Sequence, residues 1–473
     1  MITLIKNEYY KIFHKKSTYI TLIIIFMIVF LTNIIYKKMD NFNNTLYVSK
    51  NYINEIETNI KNFSFETGNM YEYANLLAEL DNEKYIKAQK ERWIQEKYEQ
   101  YVSDKVNNYY QELYGNKDKQ KAKELQQEID NLKLKLSKSD WRYFVQLQID
   151  EIKANIDSMK STIDVNSLSN NIVYNANLYI LKLNTVRLKE NIGYNHYLNK
   201  NINTLENTIY DKISYETTKN KDTKKRLQDN YKLFKENEYI LEHKLDTSNN
   251  ASLREIVIKF FDEYTILILI FIIMISGSIM SEEFNKGTIK SLLTTPYTRS
   301  KIFFAKLLTT LSMIPLITLI ILLFEFIVGG IMFGFASIKT PIILYDIQKS
   351  QINRMPVLCY FLKYFISILP LFILLNTLAF SLSTIINNTA FSIVIAFLGY
   401  MSSNIINLYA KFKNLKFLKY FVTTNWDLSY LVLGNKSPYG ISAKVSIIIC
   451  LIYFILMVAI SLYVFKRKNI KNI

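Results

Sequence analysis

Hydrophobic and polar positions divide this chain into two unlike parts. Apolar runs occupy residues 19–36, 264–280, 307–333, 360–385, 390–409 and 445–465, close to the roughly 20 residues a helix needs to cross a bilayer. Between the first two runs lies a polar stretch, residues 37–258, where apolar positions recur at helical spacing. Leu125, Ile129, Leu132 and Leu136 make one stripe, and Ile149, Ile152, Ile156, Met159 and Ile163 make a second. Ile202, Leu205 and Ile209 follow, then Leu227, Tyr231, Phe234, Leu241 and Leu245. The stretch has no proline and only three glycines, Gly68, Gly115 and Gly193, so it offers few breaks and predicts long helices. No stripe persists long enough to require a dimeric rod, and helices packed within the chain explain them. Tyrosines are frequent over residues 71–114, where helical spacing makes them packing residues rather than a binding surface. The predicted fold class is therefore all-α: a six-helix transmembrane bundle with a large, mostly helical domain inserted between spans 1 and 2.

The boundaries predicted are an interfacial helix over 1–18, span 1 over 19–36, the helical domain over 37–258, span 2 over 259–280, a polar segment over 281–306, and spans 3–6 over 307–473. In residues 1–18, Ile5, Tyr9, Ile12 and Phe13 share one helical face with Lys6, Lys11, Lys15 and Lys16 around it. That pattern predicts a helix lying in the membrane interface. The apolar run after it is long and lacks a small-residue cleavage site, which favours an uncleaved anchor. Pro315 predicts a kink in span 3, and Asn387 with Asn388 predicts a tight turn between spans 4 and 5. Residues 335–357 read as a polar connection. Residues 410–442 contain AKFKNLKFLKYF, where Tyr409, Phe412, Leu415 and Leu418 can face lipid while lysines reach water, an interfacial or re-entrant helix.

Residues 281–306 are short, polar and basic, and lie between two apolar runs. Gly287 can end the preceding helix in the left-handed conformation. Thr288 can cap a new one, on which Ile289, Leu292 and Leu293 share a face. Thr295 precedes Pro296 and is pushed out of helical angles, so that helix stops early. Thr298 or Ser300 can cap the next.

Charge adds orientation. The chain carries +17 in total, yet residues 37–258 sum to only about +1, so the excess sits with the membrane part. An even number of spans with basic ends places both termini and residues 281–306 on the cytoplasmic side and the helical domain outside. Residues 336–363 and 411–442 are also basic and run against that rule. A near-neutral domain argues against nucleic acid as a partner. The only cysteines, Cys359 and Cys450, lie outside residues 37–258, which excludes a disulfide scaffold there. His14, His196 and His243 are scattered, so no metal site is predicted.

The ordered residues Glu283, Gly287, Thr288, Leu292, Leu293, Pro296, Arg299 and Lys306 resemble the cytoplasmic segment between spans two and three of type 2 ATP-binding-cassette (ABC-2) permeases. The resemblance implies an exporter permease subunit whose coupling segment docks on a separate ATPase. Glu283 would meet a basic group on that partner or pair with Arg299. It further implies a bacterial plasma-membrane location, a second permease subunit as homodimer or heterodimer, contact with membrane lipid, and an amphiphilic substrate such as an antimicrobial peptide or lipid. No phosphate-cradling G-x-x-x-x-G-K-[ST] occurs, nor G-x-S-x-G or H-E-x-x-H. The chain is thus expected to be non-catalytic and without a cofactor of its own, with ATP and Mg on the partner ATPase. Within the spans, Glu325 and Lys363 are a candidate polar pair, or line a substrate path. The rival reading is a membrane-anchored structural or receptor protein whose helical ectodomain binds a surface partner.

Overall fold

In the computed structural model, residues 1–43, 50–66, 68–168, 170–218, 223–247, 251–413, 416–437 and 440–468 are described. Helix is the dominant structure, and six helices are long and apolar enough to cross a membrane. The chain forms two compact units, one from residues 1–34 with 251–473 and one from residues 35–250.

The first unit contains, in chain order, α1 (Ile2–Phe13), the part of α2 (Lys16–Asn43) up to residue 34, α3 (Leu253–Ile258), α4 (Phe260–Ile279), α5 (Ser281–Asn285), α6 (Ile289–Leu293) and α7 (Arg299–Phe333). A hairpin of β1 (Ile342–Asp346) and β2 (Gln351–Met355) follows, then α8 (Val357–Ile386), α9 (Thr389–Lys413), α10 (Ser429–Val432) and α11 (Ala443–Arg467). The six long helices are α2, α4, α7, α8, α9 and α11. In α4 and α8, 67% and 61% of the apolar window is buried, against 17–22% in α2, α9 and α11. The pair α4 and α8 is therefore the centre, and the other helices turn apolar faces outward. At the start of α4, Phe261 stacks on Phe361 and Tyr364 of α8 and Phe260 meets Phe361 edge to face, with ring centroids 5.0–5.1 Å apart. Ile268, Ile272, Leu371, Phe372 and Phe380 continue the core along both helices.

Several local signals act as the sequence predicts. Thr298 accepts from the Lys301 amide and starts α7. Asn387 takes a left-handed conformation (φ 58°) between α8 and α9. Other expectations are corrected. The fold is not wholly α, since the polar connection after span 3 carries a hairpin in which Ile342 pairs with Met355 through to Asp346 with Gln351, antiparallel. The Asp346 carboxylate accepts from the Gln348 and Lys349 amides and sets the turn. Gly434 (φ 69°) passes so close that a Cβ would lie 2.7 Å from the Tyr345 carbonyl oxygen, and its own carbonyl receives the Ile347 amide.

Residues 410–442 do not form one interfacial helix. After α9 come two 3₁₀ turns, Lys416–Tyr420 and Val422–Thr424, and α10. Leu418, Trp426 and Leu428 are buried rather than facing lipid. Asn425 anchors the loop by accepting from the Ser446 hydroxyl and donating to the Lys419 and Phe421 carbonyls. Leu415 lies outside the described residues, as does the Phe412 side chain. The helical domain ends at residue 250, not 258, because α3 buries Leu253, Ile256 and Val257 in the membrane-type unit. Helix α1 packs on α7: Leu4 and Ile12 are buried, Leu4 with Ile302 and Ala305, and Tyr9 donates to Ser312 of α7 at 2.6 Å.

The second unit is a stack of helices with its own cores. Ile129, Leu132, Leu136 and Phe144 pack with Trp93, Ile94, Tyr98 and Val106. Ala176, Ile180 and Ile209 form a separate cluster with Phe234 and Ile152 against it. The tyrosines serve packing, as their spacing predicts: Tyr98 is fully buried and stacks on Tyr85 at 4.1 Å. Tyr71 and Tyr231, however, are exposed.

Candidate functional site: the polar segment after α4

The segment is built from two helical turns that cannot merge. Helix α5 ends at Lys286, and Gly287 (φ 69°) takes the left-handed turn that its lack of Cβ permits. Thr288 is at the start of α6 but makes no side-chain cap there. Its hydroxyl instead donates to the Glu283 carboxylate, binding the two turns to each other. After α6, the Thr295 hydroxyl donates to the Leu292 carbonyl at 2.6 Å, and exposed Pro296 precedes the cap of α7.

Glu283 is the centre of a buried ionic cluster. The Lys306 ammonium of α7, 1% exposed, donates to Glu283 at 3.0 Å, to Glu8 of α1 at 2.8 Å, and to the Ile279 carbonyl at 3.3 Å. Lys11, one helical turn beyond Glu8, donates to Glu283 at 2.7 Å and to Glu8 at 3.3 Å. Two carboxylates and two ammonium groups thus balance, with Glu8 and Glu283 over nine-tenths buried. Burial pulls the Lys11 ammonium down, but its bond to Glu283 and the charges of Glu8 and Glu283 outweigh this and hold it above its ordinary value. Nearby, Lys15 binds Glu282 at 2.7 Å.

Cations on carbonyl ends complete the site. Arg299 does not pair with Glu283; its guanidinium donates to the carbonyls of Lys466, in the last turn of α11, and Lys468, just past it, at 2.9 and 3.0 Å. Lys468 in turn donates to the Thr384 and Ile385 carbonyls and to Asn387 at the end of α8, and lies 4.7 Å over the Phe284 ring. Both bind helix ends that carry unpaired carbonyls and partial negative charge. Ser281 joins α8 and α9 through Ser383 and Thr389. Among the described residues, α4, α7, α8, α9 and α11 each have at least one polar tie to this neighbourhood.

Of the residues singled out in sequence, Glu283, Thr288 and Lys306 meet in one cluster, while Arg299 serves a separate helix end. Leu292 does not stand free. It is half-buried against the cluster of Leu4, Ile302 and Ala305. The Leu293 side chain lies outside the described residues. Glu8 and Lys11 were missed, although Glu8 falls between Leu4 and Ile12 on a face that otherwise reads apolar.

Glu325 and Lys363 do not pair. Glu325 is fully buried and accepts from Tyr264 at 2.7 Å and Asn33 at 2.8 Å, whereas Lys363 is exposed. Tyr264 also bonds Thr32 at 2.7 Å, so α2, α4 and α7 share one buried polar junction. Among the described residues, no group of three or more His, Cys, Asp or Glu is arranged to hold a metal ion.

A family model described as "Protein of unknown function (DUF2705)" matches residues 227–471. The chain is also similar to "Uncharacterized protein YhcI" of Bacillus subtilis (strain 168), 28% identical over 251 residues, which is 52% of this chain and 78% of that protein. No solved structure matches.

Proposed function

The chain belongs to the DUF2705 family, whose description leaves its activity open, and we propose that it is the membrane-spanning permease subunit of an ATP-driven exporter of the ABC-2 type. Its substrate is an amphiphile, a peptide or lipid. The ATPase is a separate polypeptide carrying ATP and Mg, and a second permease subunit completes the assembly. In this reading both termini and the segment after α4 are cytoplasmic, and residues 35–250 are extracellular.

The observation that carries it is the ionic cluster. A short polar segment between two membrane-length helices is wired by Glu283 to Lys306 on α7 and to Lys11 on α1. Buried charges are costly unless each is paired, so the cluster fixes the segment rigidly to both helices. A push on the segment then moves α1 and α7 instead of bending a loop. The surface left for an ATPase is the exposed side of α6 and its flanks, Lys290, Ser291, Thr294 and Pro296.

The test is co-purification of the tagged full-length chain from native membranes. An ABC ATPase should accompany it, and Ser291→Trp, which adds bulk on an exposed position, should abolish the association while the chain stays inserted. If no ATPase accompanies the wild-type chain, or Ser291→Trp retains it fully, this reading is wrong.

A further inference from the structure

We propose that a cavity beside the ionic cluster binds one membrane phospholipid whose headgroup is zwitterionic, a phosphate and an ammonium on the same molecule. The cavity is about 510 Å³ and lies among α1, α2, α4, α5 and α9. It has two chemically distinct ends. One is lined by Glu8, Lys11, Lys15, Glu282, Glu283 and Lys286. The other is lined by Phe271, Met274, Ile275, Ile279 and Ile393. A second cavity of about 320 Å³, with only apolar residues, shares Met274 and Ile393 with the first and extends it past Ile270, Val394 and Phe397. The path thus runs from charged to wholly apolar, along helices long enough to span a membrane. An amphiphile fits such a gradient; a small polar metabolite leaves the apolar end empty.

Charge selects the headgroup. The polar end has three lysines and three glutamates, engaged with one another: Lys11 with Glu8 and Glu283, Lys15 and Lys286 with Glu282. A purely anionic headgroup competes with the glutamates for every lysine and meets their repulsion. A zwitterion offers phosphate to the lysines and ammonium to the carboxylates, so both signs keep a partner. Lys286 is well placed for the phosphate, being 66% exposed with one bond to Glu282 at 3.3 Å. Glu8 and Glu283 are held rigid by Lys306 behind them. Such a lipid touches α1 and the segment after α4 together, and fills the space between them. This inference does not depend on the exporter reading.

The experiment uses the full-length chain, delipidated and reconstituted in bilayers that contain either phosphatidylethanolamine or phosphatidylglycerol with a photoactivatable acyl chain. Phosphatidylethanolamine should cross-link most strongly within residues 270–279 and 393–398, and phosphatidylglycerol several-fold less. Met274→Trp, at the junction of the two cavities, should remove that labelling. Lys15→Glu alone should weaken it, and adding Glu282→Lys should restore it. The site mapped on the wild-type chain stands as a test by itself should Met274→Trp fail to fold. Labelling spread evenly over the outward faces of α2, α7 and α11 would show an ordinary lipid annulus and overturn the proposal. Equal labelling by both lipids would overturn the headgroup assignment. Protein–protein cross-links at residue 274, with lipid excluded, would assign the cavity to a second copy of the chain and overturn it too.

Discussion

At the scale of single residues, Lys306 carries the largest local consequence. It is almost completely buried and, among the described residues, is the only lysine that touches Glu8, Glu283 and a helix carbonyl at once. Lys306→Met leaves two buried carboxylates against Lys11 alone, which should cost about 3–5 kcal/mol, the loss typical of breaking a buried pair by removing one partner. Adding Glu283→Gln should recover a large part, because one of the stranded charges is then gone. The chain's cysteines allow a direct measurement. With exposed Cys359 replaced by Ser, a thiol-reactive dye reports on Cys450, which is buried in the membrane-type unit. Lys306→Met should expose Cys450 at a clearly lower temperature, and the double variant should move back toward wild type. Equal melting of all three chains would mean the cluster contributes nothing to the fold.

The same residues show what the sequence made legible. Glu283 and Lys306 stand out because each borders an apolar run. Their partner Glu8 is some 300 positions away in α1, where it passes as one charge among lysines. Only the break it makes in the face formed by Leu4, Ile5, Tyr9 and Ile12 signals a buried role. Glu325 is legible as an intramembrane charge, and Lys363 is the opposite charge that the sequence offers it, as a pair or along a shared path. The structure satisfies it with neutral donors, Asn33 and Tyr264, which carry no such sign.

At the scale of elements, periodicity and punctuation located the six long helices to within a few residues at most ends. What escaped were short pieces whose form depends on distant neighbours. The hairpin after α7 has a strand-like run, Ile342 to Tyr345, too short to separate from a loop in a helical chain. The 3₁₀ turns after α9 are held by Asn425 and Ser446, a pairing no local pattern contains. Gly287 is the opposite case, since its left-handed turn was predicted from spacing alone. A Cβ there would meet nothing within 4 Å, so a substitution suffers only backbone strain. Gly287→Val should destabilise by about 1–2 kcal/mol, the penalty for a β-carbon in the left-handed region. Gly287→Asn should cost clearly less, as asparagine tolerates that conformation. Melting by the Cys450 assay checks both; equal costs for Val and Asn would point to sterics instead of backbone conformation.

At the scale of the whole molecule, the division into a membrane-type unit and a helical unit follows from composition, since the residues between α2 and α3 lack both proline and long apolar runs. The boundary at residue 250 was less legible, because α3 reads like one more helix of the polar domain until its burial is known. Orientation rests on charge alone: basic residues flank the termini and the segment after α4, while the helical unit is nearly neutral. A single cysteine can be placed at exposed Ser291 or exposed Ser137 in a chain whose own two cysteines are replaced. In intact cells an impermeant thiol reagent should modify the Ser137→Cys chain at once and the Ser291→Cys chain only after permeabilisation. The contrast is sharp because the two sites are separated in sequence by α4, a helix with mean hydropathy of 2.3 over its apolar window. Modification of Ser291→Cys from outside would invert the topology, remove the segment from the compartment that holds ATP, and with it the basis for an ATPase partner.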